Sequence, residues 1–321
     1  MKLSELSRSV MTDFPIRKSK QQKEQFRDWL CRTLSGLGYE PGVEESGKLV
    51  KNRNVVVGDP EQAEVLLSAH YDTCAVLPIP NLITPRNPVM LVLYQLLMVV
   101  GMIALCVIPE IILLVLWHDA PMGLSMAVVY AMMIFCIWWM LAGKANKHCV
   151  NDNTSGVLTL LEILQVLPEQ DRNKVCVVFF DNEEKGLLGS AAFAKQHKNI
   201  RKTILNLNFD CVSDGDYLHL FPGKALKKED DTLERLRAAF RGRGEKTVTV
   251  CTGFGFYPSD QRNFLRGVGI CALNKKPLVG YYMDKIHTGR DRVMEEENLL
   301  LFRDGVLAFL ADSKTEKETT E

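Results

Sequence analysis

Apolar positions along the chain fall into short runs that alternate with segments of helical spacing. One helical segment covers residues 15–37, where Phe26, Leu30 and Leu34 recur at helical intervals. Strands are predicted for the apolar runs that end in turn residues; they are NVVVG, EVLLSAHYD, KVCVVFFD, TILNLNFD, YLHLFP, TVTVCT and GVGICAL. Further helices are predicted near residues 155–166, 187–197, 229–240, 260–266 and 295–312. Strands that alternate with helices indicate an α/β fold with a mostly parallel central sheet flanked by helices.

Residues 88–142 interrupt this pattern with two long apolar runs that contain almost no charge. A bilayer core of ~30 Å is crossed by about 20 apolar residues in a helix, and both runs reach that length. Trp117, Trp138 and Trp139 lie near the run ends, as interfacial tryptophans do. We therefore predict a two-helix transmembrane hairpin, in which Pro109 ends or kinks the first helix. The alternative, a buried helix pair of a soluble protein, is disfavoured by the length of the runs.

Flanking charges predict the orientation of this hairpin. Arg86 precedes it, Lys144 and Lys147 follow it, and the connecting turn has no lysine or arginine. Because cytoplasmic loops carry the excess of these residues, the attached domain and both termini are expected in the cytoplasm. The nine cysteines are scattered without a CxxC pair, which fits a reducing compartment.

The patterns divide the chain into three parts. A discontinuous domain of residues 1–87 and 144–312 is interrupted by the hairpin at 88–142, and the polar tail 313–321 is expected to be disordered. Lysine plus arginine equals aspartate plus glutamate at 39 each, so the net charge is zero. No nucleic-acid partner is predicted from this balance.

Side chains that can bind metals stand at the predicted strand ends and in loops. They are His70 and Asp72 in LLSAHYDT, Asp152 in VNDNTSG, Glu183 and Glu184 in FFDNEEKG, Asp210 in LNFD, and His287 in DKIHTGRD. In a doubly wound sheet, ligands bind outside the carboxyl ends of the strands, so these side chains are expected to converge. Two histidines with several carboxylates suit zinc, and there are enough of them for two ions.

The ordered segments AHYDT, NDNTSGVLTLLEIL, VVFFDNEEKGLLGSAAFAK, FD and HT resemble metallopeptidase family 28 of clan MH, the co-catalytic zinc aminopeptidases and their relatives. The resemblance covers residues 15–312 apart from the hairpin, and NDNTSGV and EEKGLLGS are its most specific pieces. It implies a zinc exopeptidase fold of the phosphorylase/hydrolase type and hydrolysis of an amide or peptide bond. The chain departs from the family in the inserted hairpin and at Gln261, where the family usually has a histidine that contacts substrate.

Carried over position by position, the resemblance implies a site for two zinc ions. His70 and Asp210 would bind one ion, and Glu184 and His287 the other. Asp152 would bridge the two, because its carboxylate offers one oxygen to each. Cobalt or manganese can take the place of zinc in such a site.

The resemblance also implies two catalytic residues that are not ligands. Glu183 would act as general base, which explains why a strand ends on two adjacent glutamates: one binds metal and the other moves a proton. Asp72 would hydrogen-bond to His70 and fix its tautomer and orientation.

These assignments predict a membrane-anchored aminopeptidase-type exopeptidase with a peptide or amide substrate. A hydrolase of N-acyl amino acids or lipid-like amides is an alternative on the same site. A non-catalytic membrane receptor or scaffold of the same fold is another, but such proteins have lost ligands that are intact here. Relatives that cyclise amino-terminal glutamine with one zinc are disfavoured because His70 and Asp72 are both present.

Hairpin placement suggests a hydrophobic substrate. The two junctions of the hairpin, at residues 77–88 and 144–151, lie within a few residues of Asp72 and Asp152. The pocket is therefore expected near the bilayer surface, where a hydrophobic or membrane-associated substrate would reach it. Simple tethering through a tolerant loop is the alternative.

Overall fold

The computed structural model describes residues 3–48, 50–77, 79 and 81–318. Its helices are α1 (Leu3–Asp13), α2 (Lys20–Gly36), α3 (Pro88–Leu116), α4 (Met122–Ala142), α5 (Gly156–Val166), α6 (Leu188–Gln196), α7 (Ile200–Thr203), α8 (Asp230–Ala239) and α9 (Glu296–Glu318). Its strands are β1 (Gly42–Ser46), β2 (Asn52–Val57), β3 (Val65–His70), β4 (Val175–Phe180), β5 (Leu205–Phe209), β6 (Tyr217–Pro222), β7 (Thr247–Val250), β8 (Arg266–Lys276) and β9 (Gly280–Tyr282).

The strands form one mixed sheet in the order β1-β2-β4-β3-β5-β8-β6-β7, with β9 paired to β8. In its centre, β3 runs parallel to both β4 and β5, and β5 runs parallel to β8. Antiparallel pairs join β1 to β2, β2 to β4, β6 to β8 and β8 to β9. The predicted α/β class is confirmed, and the carboxyl ends of β3, β4 and β5 meet at one edge of the sheet.

Helices cover both faces of the central strands, so strands at this position can be apolar along their whole length, as β4 is. Along β4, Val177 and Phe179 point into the larger cluster of buried residues, which includes residues of α5 and α9. Cys176 and Val178 point into a smaller cluster on the other face, with Phe193 of α6. Alternate side chains of a strand point to opposite faces, so both faces of β4 are occupied by apolar residues.

The structure matches the predicted segments closely and adds four. The predicted helix at 260–266 is shorter, a 3₁₀ turn at Asp260–Asn263. Helices α1 and α7 and strands β1 and β9 were not predicted. Helix α9 continues to Glu318, into the tail expected to be disordered, and residues 319–321 of that tail lie outside the described residues.

The two apolar runs form α3 and α4, which are long and apolar enough to cross a membrane. Only 6% of the most apolar stretch of α3 and 11% of that of α4 is buried. A core helix of a soluble protein would be mostly buried, and these two are not. Pro109 lies inside α3, and the helix continues past it to Leu116.

The hairpin leaves and re-enters the domain through two paired stems. Ala75 forms an antiparallel bridge with Ala145, and the Val76 N–H donates to the Lys144 carbonyl at 2.8 Å. The Asn146 N–H donates to the Cys74 carbonyl at 3.1 Å. These bonds close the fold beneath the hairpin, so the insertion leaves β3 and the segment before α5 beside each other.

Candidate metal centre

The carboxyl ends of β3 and β5 and the turn before α5 bring three candidate ligand side chains together. Ligand atoms of His70, Asp152 and Asp210 all lie within 4.8 Å of one another, and all three residues are buried. His70 Nε2 is 3.2 Å from Asp152 Oδ1 and 3.6 Å from Asp210 Oδ1. These are separations that ligand atoms sharing one small cation can adopt.

A second group lies on the other side of Asp152. His287 Nε2 is 3.0 Å from Asp152 Oδ2 and 3.3 Å from Glu184 Oε2. Cys74 also belongs to this group, because its sulfur lies within 4.8 Å of ligand atoms of both Glu184 and His287. His287 has a φ of 59°, in the left-handed region that non-glycine residues seldom adopt. Such strained residues cluster at functional sites.

Asp152 is held in place by main-chain contacts at the turn Val150–Ser155. The N–H groups of Asn151 and Asp152 donate to the two carboxylate oxygens of Asp291, at 2.7 and 3.0 Å. The Asn153 side chain donates to the Phe209 carbonyl at the end of β5 (2.9 Å). The peptide bond between Asp152 and Asn153 is cis. The hydrogen bond from Asn153 ties the turn to the end of β5, next to Asp210.

The segment NDNTSG ends in Gly156, where there is no space for a side chain. A Cβ atom at this position would lie 2.3 Å from the Phe209 carbonyl oxygen and 2.5 Å from Asn153 Oδ1. Helix α5 begins at Gly156 in direct contact with the end of β5, so any larger residue would push the turn that carries Asp152 away from its partner strand.

His70 Nδ1 faces the segment that follows β3, which leaves Nε2 for a ligand. Nδ1 lies 3.2 Å from the main-chain carbonyl of Asp72 and 3.5 Å from Asp72 Oδ1. When Nδ1 carries the proton and donates it there, the lone pair of Nε2 points at Asp152 and Asp210.

Asp72 also holds the loop that carries the two glutamates. Its Oδ1 accepts the Glu183 N–H at 3.0 Å, and its Oδ2 accepts the Glu184 N–H at 3.3 Å. Asn182 precedes them in the left-handed conformation, and Lys23 donates to its side-chain oxygen at 2.7 Å. Among the described residues, Glu183 belongs to neither ligand group.

Burial sets the electrostatics of the site. It raises the pKa of Glu183 and of Glu184 well above the ordinary value. Burial alone would lower the pKa of His70, but the carboxylates of Glu183, Asp152 and Asp210 outweigh it and the pKa stands well above its usual value. The pKa of Asp152 is lowered, because its contacts with both histidines outweigh burial. Carboxylates outnumber histidines here, so the pocket favours cations.

Two orphaned atoms support a metal at each group. Among the described residues, His70 Nε2 and Glu184 Oε1 are buried without a hydrogen-bond partner. Leaving a buried polar atom unpaired costs about 1–3 kcal/mol. One orphan lies in the group of His70 and the other in the group of His287, so the donor set fits one cation in each.

Three nearby residues that surround the site were not predicted as parts of it. They are Cys74, Asp260 and Asp291. Asp260 Oδ1 accepts the Ser190 hydroxyl at 2.5 Å, and burial raises the pKa of Asp260 to about 7. Burial likewise raises the pKa of Asp291 to about 7. Proximity was their signal in the sequence: Cys74 follows Asp72 by two positions, Asp291 follows His287 by four, and Asp260 directly precedes Gln261.

Gln261, which replaces the histidine usual in the family, is buried and bonded within the protein. Its Nε2 donates to the Tyr257 carbonyl at 2.6 Å, and its Oε1 accepts from Asn208 Nδ2 at 3.2 Å. Asn208 belongs to β5, so the Gln261 amide joins the Asp260–Asn263 turn to the central sheet.

A cavity of about 120 Å³ opens onto the second group. Its walls include Asp72, Glu184 and His287 together with residues of the hairpin and its first stem. Those residues are Cys74, Ala75, Leu77 and Met140, and Lys18, Thr73 and Lys185 complete the lining. Met140 belongs to α4, so one of the two apolar helices forms part of the wall of the pocket.

Solved structures with a similar fold include two kinds of enzyme, glutaminyl cyclases and aminopeptidases. Glutaminyl cyclase of Porphyromonas gingivalis superposes with a TM-score of 0.61 at 17% identity, covering 97% of this chain and 98% of that one. A leucine aminopeptidase precursor from Bacteroides thetaiotaomicron gives 0.58 at 16% identity, covering 96% of each chain. LapB from Legionella pneumophila gives 0.57 at 14% identity, covering 97% of this chain and 70% of that one. At these identities the likeness is one of fold. No curated protein matches the chain at a significant level.

Histidines and carboxylates that converge at the carboxyl ends of parallel strands, on this fold, are typical of a metal-dependent enzyme. A family profile described as peptidase family M28 matches residues 140–309, just over half of the chain. The chain belongs to peptidase family M28. Members of this family are typically zinc-dependent, in keeping with the ligand groups of the site.

Asp291→Asn tests the support beneath Asp152. An asparagine has one acceptor oxygen, so its amide group would face one of the two N–H groups that the carboxylate accepts. Loss of such support typically weakens metal binding about 10- to 100-fold, and we expect that loss in chelator competition with zinc. Asp304→Asn, which removes a surface ion pair with Arg243, is the matched control. Wild-type zinc affinity in Asp291→Asn would show that Asp291 does not position Asp152.

Proposed function

We propose that this protein is a membrane-anchored two-zinc exopeptidase of the aminopeptidase type. The observation that supports this proposal most strongly is the position of Asp152. Its Oδ1 faces His70 at 3.2 Å and its Oδ2 faces His287 at 3.0 Å. A carboxylate with one oxygen toward each of two histidine-containing groups is the arrangement that a metal pair requires.

The proposed ligand assignment follows the two groups. His70 and Asp210 would hold one ion, Glu184 and His287 the other, and Asp152 would bridge them. Zinc at both positions would lower the pKa of a water molecule and polarise the scissile carbonyl. The chain itself would supply the proton transfer.

Glu183 is proposed as the group that moves the proton. Its raised pKa suits a carboxylate that accepts a proton from the attacking water and passes it to the leaving amine nitrogen. Asp72 would act as a positioning residue, because it accepts the main-chain N–H groups of both Glu183 and Glu184. The base and the neighbouring ligand are then oriented by one carboxylate.

Membrane anchoring is supported by the exposed apolar surfaces of α3 and α4. Large apolar side chains such as Val100, Ile112 and Ile134 are more than half exposed, at 62%, 53% and 63%. A contiguous surface of this kind is unfavourable in water. Under this proposal the domain comprises residues 1–87 and 144–312, and the hairpin 88–142 lies in the bilayer.

A hydrophobic amide is a second candidate for the substrate, and the cavity lining favours it. Met140 of α4 and Leu77 of the first stem line the cavity with His287 and Glu184. The Leu77 N–H also donates to the His287 carbonyl at 2.8 Å. A substrate with an apolar chain, such as an N-acyl amino acid, a lipid-like amide or an apolar peptide, would contact this wall as it enters from the membrane side.

Comparing Glu183→Gln with Glu184→Gln tests the assignment of the two glutamates. Glu183→Gln is expected to keep both zinc ions and to lower kcat for an aminoacyl amide by about 10²- to 10⁴-fold, because it removes a base. Glu184→Gln is expected to reduce bound zinc from about two ions to about one. Elemental analysis and turnover measure the two effects. A Glu183→Gln variant that loses zinc or retains full turnover would contradict the assignment.

Met140→Gln tests the apolar wall. The change removes apolar surface from the cavity, so KM for a long-chain apolar amide should rise about three- to tenfold while a small soluble aminoacyl amide is unaffected. Met133→Gln, on the same helix and 42% exposed, is the control. Replacing residues 88–142 by a Gly/Ser linker should have the same selective effect. If these variants match the wild type on both substrates and their zinc content is unchanged, the hairpin serves as an anchor and does not contact the substrate.

A cytoplasmic orientation is proposed from the flanking residues Arg86, Lys144 and Lys147. Protease added outside sealed cells should therefore leave the domain intact, as measured by immunoblot, and permeabilised cells provide the control. The sequence Asn153-Thr154-Ser155 matches a glycosylation sequon, yet Asn153 is fully buried and its Nδ2 donates to Phe209. A glycan on Asn153, or external cleavage of the domain, would contradict this orientation.

A further inference from the structure

Two segments of the catalytic domain are fastened to the residues that lead into α3. Asn87, the N-cap of that helix, donates from Nδ2 to the carbonyls of Leu278 and Val279, at 3.2 and 3.0 Å. The Phe256 N–H donates to the Pro85 carbonyl at 2.9 Å. The turn between β8 and β9 and the loop after β7 therefore lie beside the start of the first apolar helix.

Both segments expose large apolar side chains. Leu278 is 96% exposed, Phe254 is 52% exposed and Phe256 is 44% exposed. We call Phe254, Phe256 and Leu278 the apolar patch. Isolated exposed apolar residues are common on soluble proteins, but these three lie on two segments that are both bonded to the base of α3.

Leu278 adopts a backbone conformation that leucine disfavours. Its φ is 66°, and the Val279 N–H donates to the Pro277 carbonyl at 2.8 Å. A hydrogen bond over two residues with a positive central φ is a classic γ-turn, which is rare and strained. Glycine or asparagine would tolerate this φ far better than leucine. Neither backbone preference nor packing within the described residues accounts for a leucine at this position.

Exposed cations lie on the segments next to the patch. Arg86 precedes α3, and Lys275 and Lys276 precede Leu278. Each places its charge over a tyrosine ring, with Arg86 and Lys275 over Tyr281 at 5.0 and 5.1 Å and Lys276 over Tyr282 at 4.8 Å. The segments 252–258 and 274–282 contain no aspartate or glutamate. Tyrosine with lysine or arginine is typical of the membrane interface, and such cations are attracted to anionic headgroups.

Helix length is compatible with a membrane surface at this level. Helix α3 has 29 residues and is therefore about 43 Å long, whereas the hydrocarbon core is ~30 Å thick. Its first turns can thus lie among the headgroups, beside the β8–β9 turn.

We infer that the apolar patch and its cations form a second membrane contact, in which Leu278, Phe254 and Phe256 insert into the anionic interface of the bilayer that the hairpin crosses. This inference rests on the proposed insertion of the hairpin. The second contact would fix the tilt of the catalytic domain on the membrane surface. Two anchoring helices alone would leave that tilt free.

Tryptophan fluorescence of the full chain tests this inference in nanodiscs that hold one copy each, made from neutral and anionic lipid with bromine near the headgroup. The variants are Leu278→Trp and Val43→Trp. Val43 is 49% exposed on β1, at the far edge of the sheet. After subtraction of wild-type emission, Leu278→Trp should be blue-shifted and lose most of its emission to brominated lipid, whereas Val43→Trp should not. Lys275→Ser with Lys276→Ser should remove the dependence of quenching on anionic lipid.

The native tryptophans of the hairpin, Trp117, Trp138 and Trp139, separate the failure of this inference from that of the anchor. If they are quenched while Leu278→Trp behaves like Val43→Trp, the hairpin is inserted and the second contact is wrong. If they are not quenched, the proposed insertion fails and the inference fails with it. Quenching of Leu278→Trp that appears only in vesicles with several copies would assign the patch to a second copy of the chain and overturn the inference.

Discussion

The carboxylate of Asp152, buried between two histidines, is the constraint on which the rest of the structure depends. Burying a charge is unfavourable unless it is paired and hydrogen-bonded. His70 arrives from the end of β3 and His287 from the loop before α9, and Asp291 holds the main chain on either side of the carboxylate. The parallel centre of the sheet supplies this convergence, because β3, β4 and β5 end at one edge.

Pairing between the two stems explains how a hairpin can be inserted so close to the site. The stems pair through Ala75 and Ala145, so the two chain ends stay at the separation that the fold requires. Asn146 Nδ2 also donates to the Thr288 carbonyl at 3.0 Å, and the Leu77 N–H donates to the His287 carbonyl at 2.8 Å. The stems therefore hold the loop of a proposed ligand. One hydrogen bond thus joins the first stem to His287, and another joins the second stem to its neighbour Thr288.

Much of the fold was predictable because the central strands are buried and rich in apolar residues, with β4 apolar on both faces, and because candidate ligand side chains stand where such strands end. Strand β1, GVEES, was missed because it is a largely exposed edge strand without an apolar run. Asp291 was missed for a different reason. Its partners are main-chain N–H groups of Asn151 and Asp152, which have no signature in the sequence. Cys74 reaches the second group only because the stem folds back toward His287, a tertiary contact that local pattern does not encode.

The donor set also bears on the difference between a one-metal and a two-metal enzyme, since the fold is shared by cyclases and aminopeptidases. A single ion at His287 and Glu184 would leave His70 Nε2 buried and unpaired, at a cost of about 1–3 kcal/mol. It would also leave the carboxylates of Asp152 and Asp210 with the His70 imidazole as the group that faces both of them. A second ion at His70 would give this nitrogen and both carboxylates a common partner. The buried donor set around His70 is therefore the feature that supports our proposal of two ions over a site with one.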